Sequence, residues 1–212
     1  VRDKSIHQTI GHFSNIDTDV MQIKNTEFLR NEFNNLHVDT ICYRNKENYC
    51  HKVYCDKFRK FVFDRYSINN SEYDTNYPEV VLIKRNDRTK LIDDEYLSNI
   101  NPNVTSGKER REINNIADIE EFLQNKYNNK FKSLFFEKLP FEEQIKYFNN
   151  AKLIICAHGA AMSNMFFCKE GTTILEVTCG CKWQFFDTIS RIVKLHHIKC
   201  HKNSFASIIQ FL

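Results

Sequence analysis

Long hydrophobic runs are absent. No stretch approaches the roughly 18–20 apolar residues that cross a bilayer, so no membrane span is expected. An excess of charge of one sign is absent too. Thirty Lys and Arg stand against 27 Asp and Glu, a formal net charge of +3. Nucleic-acid binding needs a concentrated basic face to neutralise phosphates, and this balance argues against it. A mildly basic cleft for a small diphosphate remains compatible. No internal repeat is found. There is no G-x-S-x-G elbow, and Ser163 sits in Met162-Ser163-Asn164 without flanking glycines. That weighs against a hydrolase in which His158-Gly159 would open an oxyanion loop. A charged-then-apolar leader is also missing. The chain starts at Val1 without a Met, so a processed or excised piece of a longer protein is expected.

What is present fits a globular domain. The 212 residues are 42% apolar and 27% charged, enough for a core of ordinary size. Asparagine is abundant, with doublets such as Asn34-Asn35 and Asn128-Asn129, and reads as compositional bias. The sequons at Asn69 and Asn103 carry little weight for that reason. Eight cysteines permit disulfides, but a chain this large does not need them to fold. Cys156 lies in an apolar run and is expected to be a buried free thiol.

Periodicity sharpens towards the C-terminal half. Residues 38–43 (VDTICY) are strand-like, and 58–66 (FRKFVFDRY) suit a helix lying on the core. Residues 68–77 read as a linker ending before Pro78. Short apolar runs at 79–84 (EVVLIK), 131–136 (FKSLFF), 153–157 (LIICA) and 173–177 (TILEV) have the pattern of buried parallel strands. Helical spacing or helix-start signals fall at 93–100, 116–127, 141–149, 162–167 and 182–193, with a loop at 101–111 and an extended piece at 197–200. Strands alternating with helices predict an α/β fold with a parallel sheet. Two domains are expected: 1–77, and a sheet-bearing 78–212.

Ligands of such sheets bind beyond the carboxyl ends of the strands. Three such places hold suitable chemistry. In residues 151–164 (AKLIICAHGAAMSN), a strand ends in His158, followed by Gly159, Ala160 and a helix. Small residues admit a ligand close to the backbone, and a helix N-terminus suits a phosphate. The plain structural alternative is a tight turn with a satisfied histidine. Arg85 and Arg88 follow the strand at 79–84 and could fork onto a pyrophosphate, or belong to a solvated loop. Glu176 ends an apolar strand and could accept from ribose hydroxyls, or cap the next element. Cys50, His51, Cys55, Cys179, Cys181, His196, His197, Cys200 and His201 are zinc-compatible residue types, but their spacing matches no paired CxxC framework.

Taken together, these segments resemble glycosyltransferase family 61. The resemblance runs from about residue 40 to residue 200: the strand and arginines at 80–88, the phrase at 136–145 (FEKLPFEEQI), His158-Gly159-Ala160-Ala161-Met162-Ser163-Asn164, and Ile174-Leu175-Glu176-Val177. Ala161 stands where the family usually has Gly, and Thr178-Cys179-Gly180-Cys181 where a proline often follows. The resemblance implies a Rossmann-like parallel-sheet lobe of GT-B type, with a reduced or truncated N-terminal lobe left in residues 1–77. It implies an inverting transfer of sugar from a UDP-sugar to an acceptor hydroxyl on a protein or glycan. The donor would be held by Arg85, Arg88, His158, Gly159, Ala160, Asn164 and Glu176, with His158 also a candidate for the catalytic base. No obligatory metal cofactor is expected where cations flank the leaving group. Family members in animals and plants work in the secretory lumen, but the chain shows no targeting signal. The competing readings are a catalytically silent lobe that binds a nucleotide or a partner, and a zinc-binding interaction module.

Overall fold

The computed structural model describes residues 52–85, 111–181 and 185–212. Five short strands form one sheet: β1 (Val80–Lys84), β2 (Phe131–Phe135), β3 (Leu153–Ala157), β4 (Thr173–Val177) and β5 (His196–Cys200). All neighbours pair in parallel, in the order β2-β1-β3-β4-β5. The helices are α1 (Lys52–Arg65), α2 (Ile116–Tyr127), α3 (Phe141–Asn150), α4 (Phe185–Val193) and α5 (Phe205–Ile209), with a 3-10 segment at Ala160–Phe167.

The sequence pattern explains the layering. β1, β3 and β4 are interior strands and almost wholly buried, whereas the edge strands β2 and β5 are half-exposed. Alternation along each strand sends side chains to opposite faces. Val81, Ile83, Ile154 and Ile174 join a core with α1, α3, α4 and the 3-10 segment. Val80, Leu82, Ile155 and Leu175 join a second core with α2 and α5. In α2 the i, i+4 pair Ile119 and Leu123 is fully buried. Each such side chain stabilises the fold by roughly 1.5–3 kcal/mol relative to exposure.

Phe167 ties three elements together. Its ring lies 6.1 Å from Phe58 and Phe63 of α1 and 5.8 Å from Phe141 of α3. Truncating it to Ala would cost about 3–5 kcal/mol and loosen the segment that follows β3.

The expected α/β parallel sheet is present, with two refinements. The extended piece at 197–200 is a full fifth strand, because His196 to Cys200 register along the whole of β4. Residue 136, read as strand, starts a 3-10 turn. Contacts run across residue 77 among the described residues. Val62 and Phe63 belong to the first core, Asn70 Oδ1 accepts from Asn149 at 2.7 Å, and Tyr77 stacks edge-on against Tyr147 at 5.1 Å. Segments 38–43, 93–100 and 101–110 lie outside the described residues.

Strand order positions the site. From β1 the chain crosses through α2 to β2 on one side, then returns through α3 to β3 on the other side of β1. The winding therefore reverses between β1 and β3. At such a switch point the loops leaving two adjacent strands diverge and open a crevice.

Candidate active site

The loops leaving β1 and β3 carry Arg85 and His158-Gly159. They meet closely. A Cβ placed on Gly159 would lie 2.9 Å from Arg85 Nη2 and 3.3 Å from its Cζ. The guanidinium is thus laid against the backbone after β3, and only a residue without a side chain leaves it that room. Gly159 itself has φ 170°, extended backbone open to any residue, so its need is contact and not conformation. Beside this point, a cavity of about 220 Å3 opens between the ends of β1, β2 and β3 and the start of α2, lined by apolar Ile113, Ile116 and Phe135 and by the charged Lys84, Arg85, Glu112 and Glu120 among others.

His158 is held at every group but one. Its N–H donates to Val177 O at 2.9 Å, prolonging the pairing of β3 with β4. Its carbonyl accepts from Arg111 Nη1 at 3.1 Å. Its ring packs edge-on against Phe186, centroids 5.0 Å apart. Nδ1 bonds the Glu176 carboxylate through Oε1. Nε2 has no partner among the described residues. The residue as a whole is only 6% exposed.

Glu176 is 1% exposed, with its other oxygen accepting from His197 Nε2 at 2.8 Å. Burial alone would raise its pKa. The hydrogen bonds and charges of His158 and His197 outweigh burial and bring it down to about 2. Both oxygens are therefore engaged inside the protein, one by His158 and the other by His197. One carboxylate thus bridges the two imidazoles. His197 Nδ1 in turn lies 3.3 Å from Asp187 Oδ1, a charge contact without hydrogen-bond alignment, and Lys199 pairs with the other Asp187 oxygen.

The remaining expected residues are placed as follows. Ala160 opens the 3-10 segment, where Met162 N–H bonds Gly159 O at 3.0 Å. This coil is the short helix expected at 162–167, wound as a 3-10 turn and starting two residues earlier. Asn164 is 4% exposed, and its amide donates to Gln144 Oε1 at 3.1 Å. Gln144 donates to the carbonyls of Phe136 and Leu139. Asn164 thus latches the segment onto α3. Arg88 lies outside the described residues. Among the described residues no three His, Cys, Asp or Glu side chains gather to hold a metal. Cys156, Cys168, Cys179, Cys181 and Cys200 are free thiols. Burial, aided by the Glu176 charge, pushes the Cys156 thiol well up, so it stays protonated. Cys50 and His51 lie outside the described residues.

A family model described as Glycosyltransferase 61 matches residues 5–175, more than half of the chain. The chain belongs to glycosyltransferase family 61. A comparison with curated proteins finds no match. The matched span of this glycosyltransferase contains Arg85, Arg111, His158, Gly159 and Asn164, and ends one residue before Glu176. No helix among the described residues is long and apolar enough to cross a membrane.

Sequence reasoning missed Arg111 and His197. Arg111 is hidden in the charged run at 108–111 (KERR), which has no periodicity to single out one arginine. His197 reads in the sequence as one of the zinc-compatible residue types. Its signal was available: on either side of half-buried Ile198, polar His197 and Lys199 share one face of a strand.

Proposed function

We propose that the chain is the donor-binding lobe of a GT-B-type, inverting glycosyltransferase that moves a sugar from a UDP-sugar to a hydroxyl of a protein or glycan. The observation that carries this reading is the apposition of Arg85 to the Gly159 backbone at the switch point of the sheet. A diphosphate seated there would meet a guanidinium fork, a close-approach backbone and His158 Nε2 together.

In the transfer, the acceptor oxygen forms a bond to the anomeric carbon while the bond from that carbon to the β-phosphate oxygen breaks. The electron pair leaves with UDP, and the acceptor proton passes to a base. Arg85 neutralises the charge growing on the leaving diphosphate. Arg111, held on the His158 carbonyl, adds a second positive charge nearby. Arg88 is kept as a third contributor from its position three residues after Arg85. With His158 Nδ1 bonded to Glu176, Nε2 reaches a phosphate oxygen as a donor when the ring is charged, or takes the acceptor proton when it is neutral. Cationic side chains in this number support a reaction without an obligatory metal. The cavity beside Arg85 has room for a heterocycle between Ile113, Ile116 and Phe135, which suits a nucleobase.

The test is a thermal-shift and calorimetric titration with UDP, GDP, CDP and ADP, with and without EDTA. A ligand that binds the native state raises its apparent stability. The expected result is a shift for UDP that EDTA leaves intact and that Arg85→Ala and His158→Ala remove. No shift with any nucleotide would overturn donor binding by this lobe. A shift abolished by EDTA would overturn the metal-independent reading.

A further inference from the structure

The strongest unassigned feature is a chain of polar groups running from the site into the sheet. It starts at His158 beyond β3 and passes through Glu176 on β4, His197 on β5 and Asp187 on α4, ending at Lys199 on β5. His197 has 5% and Glu176 1% of its side chain exposed. Such a chain is costly to bury and is stable only when its members satisfy one another. His197, Asp187 and Lys199 all lie beyond the segment that the family model matches.

We propose that His197 is a positioning residue for His158, acting through the carboxylate of Glu176. The proposal rests on the reading of His158 as the ligand-facing group of a donor site. The physical argument is geometric. A carboxylate can rotate about its terminal bond and offer either oxygen to His158. His197 Nε2 donates to Oε2 and fixes that rotation, leaving Oε1 aimed at His158 Nδ1. With Nδ1–H committed to Oε1, Nε2 becomes the nitrogen presented to the site, and its tautomer is set. The Asp187 carboxylate lies 3.3 Å from His197 Nδ1 as a charge contact without a hydrogen bond, and Lys199 pairs with Asp187. A histidine partnered in this way keeps one orientation, as outer partners do for ligating histidines elsewhere.

The groups that face this pair come from every neighbouring element. Arg85 lies against Gly159 from the end of β1, Arg111 bonds the His158 carbonyl, and Phe186 of α4 covers the imidazole. Cys156 of β3 stands opposite Glu176 in register. None of these contacts fixes the carboxylate rotation, which leaves His197 as the group that does.

The experiment is nitrogen-detected NMR of the imidazoles in the full chain, for the wild type, His197→Phe and His197→Gln, joined to calorimetry with UDP. Phe preserves bulk and removes the donor; Gln restores a donor near the Nε2 position. The expected wild-type result is a single His158 tautomer protonated at Nδ1. In His197→Phe that signal should become a tautomer mixture with a cooperative melt retained, and UDP affinity should fall about 10-fold or more, with His197→Gln recovering most of it. A wild-type His158 protonated at Nε2, or an unchanged tautomer in a folded His197→Phe, overturns the proposal. If neither variant folds, Asp187→Asn supplies the same readout from one step further out. Absence of UDP binding by the wild type would instead remove the donor-site reading, while the tautomer measurement still decides the role of His197.

Discussion

Arg85 and Gly159, 74 positions apart in sequence, touch so closely that a methyl group on Gly159 would come within 2.9 Å of the Arg85 guanidinium. The contact joins the exits of β1 and β3, the two strands between which the winding of the sheet reverses. It also makes the two residues separable by mutation.

Gly159→Ala should leave the fold nearly intact, because its extended backbone accepts Ala and the clash is with the end of a flexible side chain. The guanidinium must shift, so the UDP-induced rise in Tm should shrink to near zero while the Tm of the free protein changes little. A Gly159→Ala protein that still answers UDP fully would show that this contact is not part of the donor site.

Arg85→Ala removes the guanidinium itself. Loss of charge-assisted hydrogen bonds to a phosphate costs about 1.5–3 kcal/mol, or roughly 10- to 100-fold in Kd. Arg85→Lys should recover only part of this, since an ammonium cannot fork across two phosphate oxygens. Calorimetry of the three proteins with UDP checks the order.

Asn164→Ala should behave in the opposite way. Removing a buried amide leaves Gln144 Oε1 short of a donor, with an expected loss of about 1–3 kcal/mol in stability. UDP affinity should stay within a few-fold of wild type once the protein is folded. Urea unfolding and calorimetry together separate this latch from a ligand contact, and a large loss of affinity at unchanged stability would return Asn164 to the donor set.

Glu176 makes stability depend on acid. Its folded pKa, about 2, lies below the ordinary 4.5. The stabilisation is therefore complete above pH 4.5 and is lost as pH falls through 4.5 towards 2. A depression of this size corresponds to something on the order of 3 kcal/mol. Glu176→Gln should be much less stable than wild type at pH 7, and the gap should close towards pH 3 in urea-unfolding series. A gap that is constant across pH would mean that the histidine contacts do not hold the carboxylate ionised.

Much of this was legible along the chain. β1, β3 and β4 were readable because buried parallel strands are short, continuous and β-branched, and α2 and α3 because their apolar residues recur at helical spacing. Arg85, His158 and Gly159 could be singled out because the exits of parallel strands are where ligands bind. β5 was harder to see: an edge strand carrying His196, His197 and Lys199 loses the apolar signal, since one side of it faces water. α1 looked shorter than it is because its sequence, KVYCDKFRKFVFDR, mixes charge with aromatics and has little amphipathic contrast.

The sequence alone determined the parallel α/β sheet and the family, since both reside in local pattern: apolar period, turn residues and short motifs read in order. Partnerships were decided only by the tertiary structure. Glu176 bonds His158 and His197, Asn164 bonds Gln144, and Arg111 joins His158 from 47 residues away. A side chain's partner depends on which strands become neighbours. Strand order is set by long-range packing of two cores and leaves no periodic trace in the chain.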